Sequence, residues 1–317
     1  MKKFLTIAAM IFFFLFPATD TGFARGAGSE WDILTKEVEA LYRAGKYDRA
    51  VVVAKKALEA AEKNVGPDHP DVAESLNNLA LLYHHQGQNA RAEILYKRAL
   101  SIKEQALDPD HPGLAAGLHN LAVLYAYQGR YPRAGPLYKR ALSIYEKALG
   151  PDHPDVATGL NSLAEFYRVQ GHYARAGPLQ KRALSIYEQA LGPDHPDVAT
   201  SLNNQALLYS DQGQYVQAEP LFKRALSIME KALGPDHPKV ALALNNLAIL
   251  YRKQGHYAQA EPLFKKALWI TEKALGPNHP DMALCLKSLA TLYRNMKRYP
   301  EAVPLERRAA RIRAIQR

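Results

Sequence analysis

Residues 66–107 read GPDHPDVAESLNNLALLYHHQGQNARAEILYKRALSIKEQAL, and the same phrase recurs with small changes down the chain. Its opening, Gly66-Pro67-Asp68-His69-Pro70, returns at 150, 192 and 234, with Asp108-Pro109-Asp110-His111-Pro112 and Gly276-Pro277-Asn278-His279-Pro280 as variants, always 42 residues apart. Such a period marks a repeat architecture. Leu76, Leu79, Ala80 and Tyr83 fall at i, i+3, i+4 and i+7, one face of a first helix, A. Gly87 interrupts, and Ala92, Leu95, Tyr96, Ala99 and Leu100 give a second helix, B. Gly66 and Pro67 end the preceding helix, since glycine tolerates a left-handed cap and proline cannot continue. Pro70 opens the next at its first turn, where a missing N–H is harmless. The A–B linker is short, so the two helices are antiparallel neighbours.

Six copies run from 66 to 317 (66–107, 108–149, 150–191, 192–233, 234–275 and 276–317). A degenerate copy at about 30–65 precedes them, with Trp31, Leu34, Val38 and Leu41 as its A face, Gly45 as its turn and Tyr47 to Asn64 as helix B. One hairpin cannot bury its apolar face alone, so the copies must stack. The expected fold is an all-α solenoid of about seven antiparallel helical hairpins forming one cooperative array. Gln205 occupies the core position held elsewhere by Leu79, Leu121, Leu163, Leu247 and Leu289, and marks the expected weak link.

The motifs LNNLALLYHHQGQNARAEILYKRALSI and GPDHPDVA resemble the tetratricopeptide repeat, in the 42-residue form of kinesin light chains and their bacterial relatives. The resemblance covers residues 30–317. It implies a right-handed superhelix whose concave groove is lined by A helices, and in light chains that groove takes extended cargo peptides, often acidic around a tryptophan. No heptad segment joins this chain to a motor subunit, so only the general peptide-binding mode carries over.

The 317 residues are 48% hydrophobic and carry a formal charge of +10, which favours anionic partners without bearing on the fold. At the start, Met1-Lys2-Lys3 precedes an apolar run from Phe4 to Phe16 broken only by Thr6; Pro17 ends it, and Gly22-Phe23-Ala24 offers small residues at the two positions a signal peptidase reads. Thirteen residues fall short of the ~20 that span a bilayer. The expectation is a signal peptide, 1–24, cleaved after Ala24, and a periplasmic or secreted chain without stable membrane insertion; an uncleaved anchor is the rival reading. The single cysteine, Cys285, rules out an internal disulfide and reads as a small packing residue.

The sharpest candidate site is the stripe beside the core face of helix A. Its first position holds Asn77, His119, Asn161, Asn203, Asn245 and Lys287, and neighbouring positions add Arg168, Arg252, Lys253 and Arg294. Asparagine suits a peptide groove, because its amide offers both donors and acceptors to an extended backbone. The bland alternative keeps these asparagines for bonds between repeats. The stripe should become more positive toward the C-terminal half, although Glu165 and Asp211 dilute the pattern. A rival surface is the row of basic pairs on helix B, Lys97-Arg98, Lys139-Arg140, Lys181-Arg182, Lys223-Arg224, Lys265-Lys266 and Arg307-Arg308. It reads either as a site for an anionic envelope polymer or lipid, or as a solvated face partly paired within the helix. The repeated histidines, one per hairpin, cannot converge on one metal ion and read as caps. His84-His85 reads as a surface pair. No nucleophile–base pair, paired-carboxylate motif or phosphate loop stands out. The chain therefore reads as a non-catalytic scaffold that needs no cofactor and binds a protein or peptide, acidic ones included, but not nucleic acid; the alternative is a self-associating assembly unit.

Overall fold

The computed structural model describes residues 28–315, so the expected signal peptide lies outside the described residues. Among them are fourteen helices and no strand. They run as α1 (Gly28–Arg43) paired with α2 (Tyr47–Val65), α3 (Pro70–His85) with α4 (Asn89–Ala106), α5 (Pro112–Tyr127) with α6 (Tyr131–Leu149), then α7 (Pro154–Val169), which closes the first of two units, and α8 (Tyr173–Leu191), which opens the second. The series continues with α9 (Pro196–Asp211) and α10 (Tyr215–Leu233), α11 (Pro238–Gln254) and α12 (Tyr257–Leu275), and α13 (Pro280–Asn295) and α14 (Tyr299–Ile315). Odd-numbered helices are A and even-numbered ones B, and consecutive hairpins make the chain an all-α solenoid.

The repeated His-Pro builds the start of every A helix from α3 onward. Proline takes the first turn, and Nδ1 of His69, His111, His153, His195, His237 and His279 accepts the backbone N–H two residues on, at 3.0–3.2 Å. An accepting Nδ1 is unprotonated, so each ring carries its proton on Nε2. The histidines do the work that serine or aspartate does at most helix starts.

The glycine ending each B helix differs from the left-handed cap expected. Gly66, Gly150, Gly192, Gly234 and Gly276 adopt φ of 84–86° with ψ of 154–165°. That region is essentially closed to residues with a Cβ. Asp108 stands in the same place, and there the helix stops one residue early, with Leu107 extended at φ −119° and ψ 154°.

The chain divides by its contacts into two compact units, one up to Val169 and one from Gln170. Such a division is compatible with a fold in which each repeat touches mainly its neighbours. In the first unit, Trp31, Leu76, Ala80 and Leu118 are fully buried. The Trp31 indole donates to Ser75 Oγ at 2.7 Å, tying the degenerate first hairpin to the second. In the second unit, Phe222, Leu247, Ala248, Phe264 and Leu289 share one core. Alanines such as Ala218, Ala248 and Ala260 are completely enclosed, which lets the helix axes approach.

The tyrosine of the A face does more than fill space. Tyr125 donates to Glu93 at 3.1 Å, Tyr251 to Glu219 at 2.9 Å and Tyr293 to Glu261 at 3.2 Å, each reaching the B helix of the preceding repeat. The same carboxylates hold Lys97, Lys223 and Lys265 four residues on, each at 2.7 Å. Arg130 and Arg298 join at Glu93 and Glu261. The Arg298 and Lys265 hydrogen bonds hold the Glu261 carboxyl down at about 2. Gly135 and Gly177 replace this glutamate in the third and fourth hairpins. At Gly135 the space is taken by Phe166, whose Cζ would lie 3.3 Å from an added Cβ.

Candidate binding surface

Successive A helices touch directly, α1 with α3 and α3 with α5 in the first unit, α9 with α11 and α11 with α13 in the second. Each unit therefore presents a continuous A-helix row. In the second unit, Asn203 and Lys287 are half-buried and Asn245 is 2% exposed. Asn246 Nδ2 donates to Asn203 Oδ1 at 2.9 Å, so the bond between repeats joins one asparagine column to the other. Asn245 Oδ1 is buried with no hydrogen-bond partner, and so is Arg252 Nε two turns further along α11. Burial lowers the Arg252 pKa, the signature of a cation poorly compensated for the water it has lost. The Lys287 side chain has no partner among the described residues, its carbonyl accepting from Thr291 Oγ1 at 2.7 Å.

Other residues expected on the stripe are committed elsewhere. Lys253 reaches back one repeat to Asp211 and Ser210, both at 3.1 Å. Arg294 is bidentate to Glu306 at 2.5 and 2.6 Å. In the first unit Asn77 is half-buried, with Oδ1 unpartnered. His119, however, is only 3% exposed and packs edge-on against Tyr138. Asn161 is buried, and Arg168 is buried and bidentate to Glu165, both bonds at 2.6 Å. These three are interior groups. The expected rise in positive charge thus narrows to Arg252 and Lys287. His84 and His85 are likewise no surface pair: His84 is buried edge-on against Tyr127 and bonded to Asn89 at 2.7 Å, while His85 stacks on Tyr47 and meets Tyr42 OH at 2.6 Å.

The basic pairs on the B helices form a ladder. Arg98, Arg140, Arg224, Lys266 and Arg308 each reach a glutamate 36 residues earlier, Glu62, Glu104, Glu188, Glu230 and Glu272, at 2.5–3.0 Å. The second member of these pairs is spent on joining repeats. The bridges are solvent-exposed, so each adds about 0–1 kcal/mol.

The sequence profile of the tetratricopeptide repeat matches at 33–105, 95–147, 113–176, 155–231, 203–273 and 258–314. The chain belongs to the tetratricopeptide repeat family. Among solved structures, this tetratricopeptide repeat protein is similar to BtubC (BKLC) from P. vanneervenii, with 24% identity, a TM-score of 0.55, and coverage of 73% of this chain and 91% of that one. A putative kinesin light chain of Podosopora anserina with nearly identical TPR-like repeats is 28% identical, with a TM-score of 0.52 over 65% and 97% of the two chains. A Rap protein complexed with Competence and Sporulation Factor shares the fold at 17% identity, with a TM-score of 0.56 over 91% and 99%. No curated protein matches the sequence closely. Tetratricopeptide repeat proteins are in general protein-interaction scaffolds without catalysis of their own.

Cys285 is buried, its Sγ 3.5 Å from Thr271 Oγ1, and burial pushes its thiol up to about 11. Among the described residues no cluster of three or more histidine, cysteine, aspartate or glutamate side chains could hold a metal, and no helix is long and apolar enough to cross a membrane. One residue missed in the sequence is Trp269. It stands where the four preceding repeats carry Ser101, Ser143, Ser185 and Ser227, and that break in the column was its signal.

Proposed function

We propose that this protein is an exported, non-catalytic scaffold that binds a protein or extended peptide along the A-helix row of its second unit, with Asn203, Arg252 and Lys287 as contacts; Asn245, 2% exposed, is an interior group like His119. The observation that carries this is the half-buried Arg252 on α11, whose Nε has no acceptor, with the half-buried side chain of Lys287 one repeat on. Buried polar groups in native folds are nearly always bonded, and an acidic side chain on an extended backbone supplies the acceptor that the guanidinium lacks. The Rap protein crystallised with its factor lends support at the level of the fold. The paired B-helix ladder makes the outer basic row the weaker choice.

The test compares proteins captured from an envelope fraction by the chain beginning at Arg25 and by two charge-reversed variants. Hydrogen bonds to charged groups are worth about 1.5–3 kcal/mol, so Arg252→Glu with Lys287→Glu should weaken capture about a hundredfold, with the circular dichroism of the helices unchanged. Lys139→Glu with Arg140→Glu should leave it intact. Sensitivity to the outer pair alone would sink the reading. Export rests on the N-terminal residues, and mass spectrometry of the exported protein should find Arg25 first; an intact chain in the membrane pellet would mean an anchor instead.

A further inference from the structure

We propose that the outer face of α10, α12 and α14 in the second unit docks on an anionic lipid bilayer. This goes beyond the groove and rests on different residues. Residues four apart on a helix lie one above the other. Lys265, Trp269 and Lys273 therefore form one column on α12. The matching columns place Lys231 beside it on α10, and Arg307 and Arg311 on α14. All six side chains are exposed, and no acidic residue interrupts the columns. Neighbouring columns lie within reach of long side chains, since Lys266 bonds Glu230 and Arg308 bonds Glu272 between the same helices.

Trp269 is 53% exposed, with the Lys273 ammonium 4.7 Å from its ring centre. Serine fills its place in the four preceding repeats, so the fold has no need of an indole there. Lys231, Arg307 and Arg311 have no partner among the described residues. Lys273 pairs with Asp236 at 2.6 Å, and Lys265 with Glu261 at 2.7 Å. The Glu261 carboxylate lies deeper than its lysine, with side-chain exposures of 18% and 57%, so the cation is outermost. A lattice of cations around one amphipathic ring, standing on helix surfaces, suits a plane that is anionic and admits an indole at headgroup depth. A nucleic acid would have to unstack a base to use the single ring.

The chain beginning at Arg25, which keeps every described helix, is mixed with vesicles of phosphatidylcholine alone or with equal phosphatidylglycerol. Trp31 is fully buried, so external quenching reads Trp269. Flotation with the anionic vesicles is expected, with a blue-shifted and quencher-protected Trp269, reversed at about 0.5 M salt. Each basic residue near such a surface adds about a tenfold change or less, so Arg307→Glu with Arg311→Glu should weaken partitioning by about a hundredfold. Trp269→Ser, which restores the residue of the other repeats, should weaken it about tenfold. The Arg252→Glu, Lys287→Glu variant should float like the wild type, which separates this face from the groove. Absence of flotation, flotation insensitive to both outer variants, or protection of Trp269 by single-stranded DNA but not by vesicles would overturn the proposal.

Discussion

Acidification from pH 6.5 to pH 4 is expected to remove about 3 kcal/mol of folding stability through His119 alone. Its ring is buried between α5 and α6 against Tyr138, and burial lowers its pKa from 6.5 to about 4. The fold therefore prefers the neutral ring. The stabilisation is complete above the unfolded value of 6.5, declines as the pH falls through this window, and is gone below 4. His84, buried in the same unit, is shifted in the same direction by burial, against its hydrogen bond to Asn89. His279 also drops to about 4 by burial, but its neighbour Asp281 is raised to about 6 by burial and regains a proton over the same range, so the two offset. Below pH 4.5 the glutamate hubs add a separate loss, since lysine and arginine partners hold their carboxyls low. Urea denaturation at a series of pH values measures the effect. His119→Asn, which installs the residue of the adjacent repeats, should flatten the profile between 6.5 and 4. An unchanged slope in that variant would assign the titration to another group.

Replacing Gln180 and Gln205 by leucine should raise the unfolding free energy by roughly 1–3 kcal/mol for each buried amide relieved of its missing partners. Gln180 is 0% exposed in α8, and neither its Nε2 nor its Oε1 finds a partner; Gln205 Oε1 on α9 is in the same condition. The aromatic residues Tyr96, Tyr138, Phe222 and Phe264 take the first position in other repeats, and leucine takes the second. Phe222 and Leu247, the equivalents one repeat on, share a core, so the two glutamines belong to one local environment. A double-mutant cycle separates two cases. Independent orphans give two gains that add. Amides that bond to each other in solution give two losses from the single variants and a recovery in the double. Leucine keeps roughly the volume of glutamine, which limits overpacking. A thermal midpoint lowered by both single variants and by the double would show that the polar groups are satisfied. The amides make the first helices of the second unit a soft segment, where hydrogen exchange should be fastest among its buried amide protons.

Gln205 could be picked out in the sequence because leucine in the other five of six repeats sets a strong expectation. Gln180 passed unnoticed because its column varies, from Ala54 through Tyr96 and Phe222 to Glu306, and only complete burial exposes the misfit. The histidine caps were legible as structural, since one histidine per hairpin cannot gather around a metal; that Nδ1 takes the N–H two residues on required atoms. Gly135 reads as the loss of a glutamate, and only the packing shows Phe166 lying where a side chain would go.

The same division holds for the candidate surfaces. Helical periodicity is local, so the repeat by itself determined the hairpins, their number and the face on which each side chain lies. It placed Asn245, Arg252, Arg168 and Arg294 alike near one stripe. Which of these remain available was decided by tertiary structure, because their partners come from other turns, helices or repeats. Arg168 is neutralised by Glu165 on its own helix and then buried, Arg294 by Glu306 across the hairpin, and Lys253 by Asp211 one repeat away, while Arg252 Nε is left without an acceptor. A charge is free or engaged according to what lies within about 4 Å of it, and separations of 3, 12 and 42 residues become equal at that range only when the chain is folded.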